Sequence, residues 1–187
     1  MSETLYRIPV GNVIGRFPDR QGQSCSNLHA PPYIVGIAIH HDAVDMEAGD
    51  HNYNGDTLDE DLGRLQTIYN YNVDRLGGFP YHLVATPNGR LFQTRELATW
   101  GVHVSERNHE LLGLCLMGNF LDSEPGAPQL CAASLGLIAL WRWLGRLAVV
   151  EPHRKWAIPS DPTECCGPAL WIPKVLSFAE FNVRAGR

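Results

Sequence analysis

Tyr33-Ile34-Val35-Gly36-Ile37-Ala38-Ile39-His40-His41-Asp42 is an apolar, β-branched run that ends in two histidines and an aspartate. A half-exposed strand alternates polar and apolar residues; this one does not, so it reads as a strand buried on both faces. Such a strand delivers its last side chains to one fixed place at the edge of a sheet. An imidazole held there serves a metal, a proton transfer or a hydrogen bond. Taken alone, the pair favours two satisfied histidines at a strand end. The residues far downstream decide otherwise.

Around this strand the chain is 187 residues long, 44% hydrophobic and 19% charged, which suits one globular domain spanning 1–187. The net charge of −5 supplies no basic field for nucleic acid or anionic lipid. No apolar run is long enough to cross a bilayer, and no basic stretch followed by an apolar one reads as a secretory signal. The 5 cysteines are odd in number and two are adjacent, so they read as reduced thiols, of which one or more binds metal. Upstream, residues 1–32 form a loop-rich lead-in with Pro9, Gly11, Gly15, Pro18, Gly22, Pro31 and Pro32. Cys25 and His29 have a spacing that would suit a metal on a helix, but the surrounding glycine, serine and asparagine make a loop, and the pair is left as structural.

Downstream, Thr57 and Glu60 make a capping box for a helix whose stripe is Leu62, Leu65, Ile68, Tyr69, Val73 and Leu76, ended by Gly77-Gly78. Residues 81–85 and 90–93 form a hairpin about Pro87-Asn88-Gly89. Residues 111–117 are a second buried strand, 129–147 a long helix, 148–150 a short strand leading to His153, and 168 to the end another amphipathic helix. Strands and helices mix without a strict βαβ rhythm, so the fold class is α/β, a mixed central β-sheet flanked by helices.

His153 also follows a short apolar strand, and Thr163-Glu164-Cys165-Cys166-Gly167 lies a little beyond it. Two neutral imidazoles and one thiolate are a sufficient protein shell for a catalytic zinc, which leaves its fourth position to water. On spacing alone the signal is weak, since no CxxC appears and the residues are far apart.

Four segments, in order, resemble the zinc-dependent N-acetylmuramoyl-L-alanine amidases, the family of the peptidoglycan recognition proteins and short phage endolysins. They are residues 37–42; Gly78-Phe79-Pro80-Tyr81-His82-Leu83-Val84 with residues 88–93; Trp100-Gly101-Val102-His103-Val104-Ser105 through Asn108 to residues 112–120; and His153-Arg154 with residues 163–167. The resemblance covers roughly 34–170 and implies a peptidoglycan recognition protein-like amidase fold. It implies that His40, His153 and Cys165 bind one Zn2+ per chain, that Tyr81 stabilises the developing oxyanion, and that Thr163 occupies a catalytic position. It places His103 and Asn108 on a loop facing the glycan and peptide groove. The implied reaction is hydrolysis of the amide between N-acetylmuramic acid and L-alanine, on peptidoglycan or muropeptide as the partner, by a monomer.

Departures from the family pattern are local. Cys166 stands where the family has proline, a rival ligand, although neighbours on an extended chain point opposite ways. The interval of 12 residues between His153 and Cys165 is longer than usual, which marks 158–162 as an insertion. Cys115 stands where some relatives carry a glutamate, so the general base is not identified. His41 reads as a strand-end residue, His82 as packing, His51 and His109 as solvated, and Trp156 as the best tryptophan for a sugar platform. The expected role is a phage or prophage endolysin without a separate wall-binding domain, made in the cytoplasm and released to the wall by a holin-like route. The alternatives are a noncatalytic peptidoglycan-binding or sensing module, disfavoured by the intact ligand set and Tyr81, and a cytoplasmic recycling amidase, whose third ligand is more often aspartate.

Overall fold

A computed structural model describes residues 10–19, 27–43 and 57–184. Val10–Asn12 (β1), Gly36–His41 (β2), Leu83–Ala85 (β3), Leu91–Gln93 (β4), Leu111–Leu116 (β5) and Val149–Pro152 (β6) form one sheet in the order β1-β4-β3-β5-β2-β6. Only the β3–β4 pair, the expected hairpin, is antiparallel; β2 lies between β5 and β6 and runs parallel to both. The helices are Leu58–Leu76 (α1), Ala127–Leu144 (α2), the single turn His153–Trp156 (α3) and Ile172–Arg184 (α4). The mixed sheet flanked by helices is therefore as the sequence leads one to expect. The lead-in contributes more than loop, because β1 adds an edge strand parallel to β4. Cys25 and His51 lie outside the described residues. Among those residues Cys115, Cys131, Cys165 and Cys166 are free thiols, and no helix is long and apolar enough to cross a membrane.

The two faces of the central strands differ in a way that positions the site. Ile37 and Ile39 of β2, and Leu112, Leu114 and Leu116 of β5, enter one large apolar cluster with Ala133, Leu137 and Trp141 of α2 and Val175 of α4. Side chains alternate along a strand, so the opposite face receives Gly36, Ala38 and His40 from β2, and Leu111, Gly113 and Cys115 from β5. These are mostly small. A Cβ on Gly36 would lie 2.5 Å from the Trp156 ring, and one on Gly113 would lie 3.0 Å from the His103 ring. The second face thus accommodates flat rings where the first accommodates aliphatic side chains.

Helix α1 covers the rest of that second face, through Leu65 and Ile68 packed with Val84, Cys115 and Met117. Its start is the expected capping box: Thr57 Oγ1 accepts from Glu60 N–H at 3.2 Å, and Glu60 accepts from Thr57 N–H at 2.8 Å. Its end is Gly77 in the left-handed conformation, φ 84°. Arg64 projects from α1 to Asp42 at 3.1 Å, and Asp42 Oδ1 accepts from Gly118 N–H at 2.8 Å. This buried pair locks the helix to the end of β2.

Candidate metal centre

β2, β5 and β6 run parallel, so their C-terminal ends reach the same edge of the sheet, where α/β folds place their sites. His40 is the fifth residue of β2, and His153 begins α3 directly after β6. Arg154 N–H donates to the Cys165 carbonyl at 2.8 Å, which holds the 163–167 turn against α3. Three segments thereby bring His40, His153 and Cys165 together, with one ligand atom from each within 4.8 Å of the others. The His40 and His153 rings are 4.5 Å apart, and Cys165 Sγ lies 3.9 Å from His40 Nδ1. Among the described residues this is the one such group of His, Cys, Asp or Glu side chains.

The electrostatics of the group favour a cation. Hydrogen bonding to Cys166, and then to His153, His40 and His41, holds the Cys165 thiol far below the usual range against the effect of burial. His41 N–H also points at Cys165 Sγ from 3.5 Å. Burial lowers the His40 pKa, which keeps this imidazole neutral and its lone pair free. Two imidazole nitrogens and a thiolate are a borderline-soft donor set; hard cations such as calcium and magnesium take oxygen. The residues present therefore fit a three-ligand zinc site with an open position.

Tyr81 and Thr163 stand on the wall of the same cleft, which is also lined by Asn72, Pro80, Val102 and Leu121 and has a volume of about 370 Å³. That is room for a sizeable ligand rather than one water. The Tyr81 ring is 4.9 Å from His40. Burial first, then the Cys115 and Cys165 sulfurs and Asp42, push the Tyr81 hydroxyl well above its ordinary pKa, so it remains a proton-bearing donor. Thr163 Oγ1 accepts from Cys165 N–H at 3.2 Å, which braces the turn. A second groove, lined by Thr67, Ile68, Tyr71 and Asn72 of α1 with Asp42 and Tyr81, continues the cleft along the helix.

Other sequence expectations are placed differently. Asn108 does not reach the cleft wall; its Oδ1 accepts from His103 N–H at 2.8 Å and Val104 N–H at 3.0 Å, and so ties its own loop. His103 lines the same cleft, though largely buried, and packs against His40. Burial, and then the neighbouring His40 and His82, keep its pKa well below the ordinary histidine value. Trp156 is no sugar platform: its Nε1–H donates to Ile37 O at 3.3 Å, and Arg107 covers its ring at 4.8 Å. Residues 165–168 form turns rather than an extended strand, and Cys166 is not one of the grouped metal-binding side chains. It is fully buried in the large cluster, with its thiol toward Ile39 O at 3.6 Å. The 158–162 loop closes as a turn, Asp161 N–H to Ile158 O, and Ser105 donates to the Asp161 carboxylate. His41 turns to the aliphatic side, where its Nδ1 accepts from Phe120 N–H at 2.9 Å, and His109 is exposed beside Trp100. Sequence reading missed the Asp42–Arg64 lock, for which an acidic residue after two histidines gives no separate signal.

A mixed sheet with helices on both faces and a His-His-Cys cleft at its carboxyl edge is the peptidoglycan recognition protein-like amidase fold. No protein-family model matches the chain, and no curated protein matches it. Solved structures do. The endolysin N-acetylmuramoyl-L-alanine amidase LysCS from Clostridium intestinale URNW superposes with a TM-score of 0.65 at 18% identity, over 92% of this chain and 95% of that one. Drosophila peptidoglycan recognition protein SD gives 0.67 at 19% identity, over 84% and 86%. Human PGRP-IBETAC in complex with glycosamyl muramyl pentapeptide gives 0.64 at 21%, over 82% and 88%. At these identities the likeness establishes a common fold.

Proposed function

We propose that this protein is a zinc-dependent amidase that hydrolyses the bond between the lactyl group of N-acetylmuramic acid and L-alanine in peptidoglycan. The observation that carries the reading is the convergence of His40, His153 and Cys165 with Tyr81 in one open cleft. Zinc, when bound by these three side chains, polarises the scissile carbonyl and lowers the pKa of a water at its open position. The chain's own groups do the rest. Tyr81 offers a fixed O–H donor to the oxygen that gains charge in the transition state. The groove along α1 gives an extended substrate a second surface beside the ligand group, and Asp42, committed to Arg64 and Gly118, holds the edge they share.

The endolysin and the recognition-protein complex that share this fold support the substrate class, and the thiolate third ligand supports a phage or prophage endolysin over a recycling enzyme. Zinc stoichiometry and sacculus digestion on one preparation test the reading. One zinc per chain, new N-terminal alanines on released stem peptides and intact glycan strands are expected. His40→Ala, His153→Ala and Cys165→Ser should each lose both metal and hydrolysis. Sacculus binding with no new amino termini would make the protein a recognition module instead.

A further inference from the structure

We propose that His103 is a positioning residue whose ring nitrogen fixes the tautomer and orientation of His40, so that His40 Nδ1 faces His153 and Cys165. This rests on the reading of His40 as a metal ligand. His103 Nδ1 lies 3.0 Å from His40 Nε2, and the two rings are perpendicular, with centroids 4.9 Å apart. A neutral imidazole carries one proton. For Nδ1, the nitrogen 3.9 Å from Cys165 Sγ, to present a lone pair, that proton must sit on Nε2. Nε2 is buried, and a buried N–H without an acceptor is costly. His103 Nδ1 is the acceptor placed to receive it, and the His103 proton then sits on its own Nε2, which is buried with no hydrogen-bond partner among the described residues.

The slot that holds His103 is built from several elements. A Cβ on Gly101 would lie 2.2 Å from its ring and one on Gly113 would lie 3.0 Å away, so both glycines leave the space that the ring fills. Asn108 grips the His103 N–H. Behind it stands His82, edge-on at 5.8 Å, which accepts from Gly113 N–H through Nδ1 at 2.9 Å. That bond leaves the His82 proton on Nε2, where it donates to Thr99 O at 2.9 Å. His82 is thus fixed in both orientation and tautomer, and it in turn confines His103. Loop, strand and hairpin each contribute one constraint to a side chain that makes a single polar contact with the ligand group. Positioning partners of this type set metal affinity.

The test is zinc affinity, measured by competition with a chromophoric chelator, together with the long-range 1H–15N spectrum of the zinc-loaded parent. Asparagine places an oxygen close to where histidine places Nδ1, whereas phenylalanine fills the slot without an acceptor. His103→Phe should weaken zinc binding about 10–100-fold, while the smaller His103→Asn retains most of the affinity. A role in packing alone would give the opposite order. In the parent, the His40 proton should appear on Nε2. The proposal is overturned if His103→Phe binds zinc as tightly as the parent, if His103→Asn loses as much as His103→Phe, or if His40 carries its proton on Nδ1. Should His103→Phe fail to fold by circular dichroism, the asparagine variant and the parent spectrum still decide. A parent that takes up no zinc overturns the proposed function as well, which separates the two failures.

Discussion

At the scale of single residues, Tyr81 and the paired cysteines carry the sharpest expectations. If the Tyr81 hydroxyl meets charge that appears only in the transition state, Tyr81→Phe should lower turnover and spare affinity. Loss of one such donor costs about 2.7–4 kcal/mol of barrier, or about 10²–10³ in rate. Zinc content, wall binding and cleavage measured on one sample check this, and a parent-like rate with zinc intact removes Tyr81 from the chemistry. Cys166→Ala should keep zinc and activity and cost about 1 kcal/mol of stability by urea titration, since Cys166 is buried among Ile39 and its neighbours. Loss of metal in that variant, with a full zinc complement kept by Cys165→Ser, would mean the wrong thiol was assigned. The three grouped side chains were legible because each ends a readable apolar strand or sits in a motif of known order. The setting of His103 was not, because it depends on Gly101 and Gly113, twelve residues apart in sequence and converging only in the folded chain.

At the scale of elements, α1 is both a wall of the cleft and a separately capped helix. Removing its capping box by Thr57→Ala should cost about 1 kcal/mol, read as a shift in the urea midpoint at unchanged slope. Zinc affinity should stay the same, because the Arg64–Asp42 lock lies two turns further on. A change in affinity would show that the helix start, and not only the lock, sets the cleft. The capping box and the amphipathic stripe were both readable, since they are local patterns. The strands were readable as buried but not as two-faced. Gly-Ile-Ala-Ile-His and Leu-Gly-Leu-Cys-Leu each put large residues on one face and small ones on the other. That alternation marks a face reserved for rings. The edge strand β1 escaped notice because three residues of Val-Gly-Asn carry no periodicity.

At the scale of the whole molecule, acid should unfold this protein through its buried imidazoles. Burial pushes the His82 pKa down to about 3, whereas the unfolded chain titrates near 6.5. Below pH 6.5 the unfolded state takes a proton that the folded state refuses. Stability is thus complete above 6.5 and falls by about 1.4 kcal/mol for each pH unit down to about 3. Urea unfolding of the metal-free protein across that range should show the slope, and His82→Asn should reduce it by one proton; an unchanged slope would exclude His82 as its source. Removing metal with a chelator should cost about 2.7 kcal/mol relative to zinc held at a hundredfold excess over its dissociation constant, seen as a lower melting temperature. One further consequence lies in the pairing of β2. Gly36 pairs with Leu111 on one side and Val149 on the other, so the strand bearing His40 waits for partners made much later in the chain. Long loops must close before those contacts form, which makes folding slow. If the ligand group assembles only after the rate-limiting barrier is crossed, the metal has nothing to bind before it. Zinc should accordingly leave the refolding rate unchanged and slow only unfolding, so that the metal acts on how long the native state lasts rather than on how quickly it is reached.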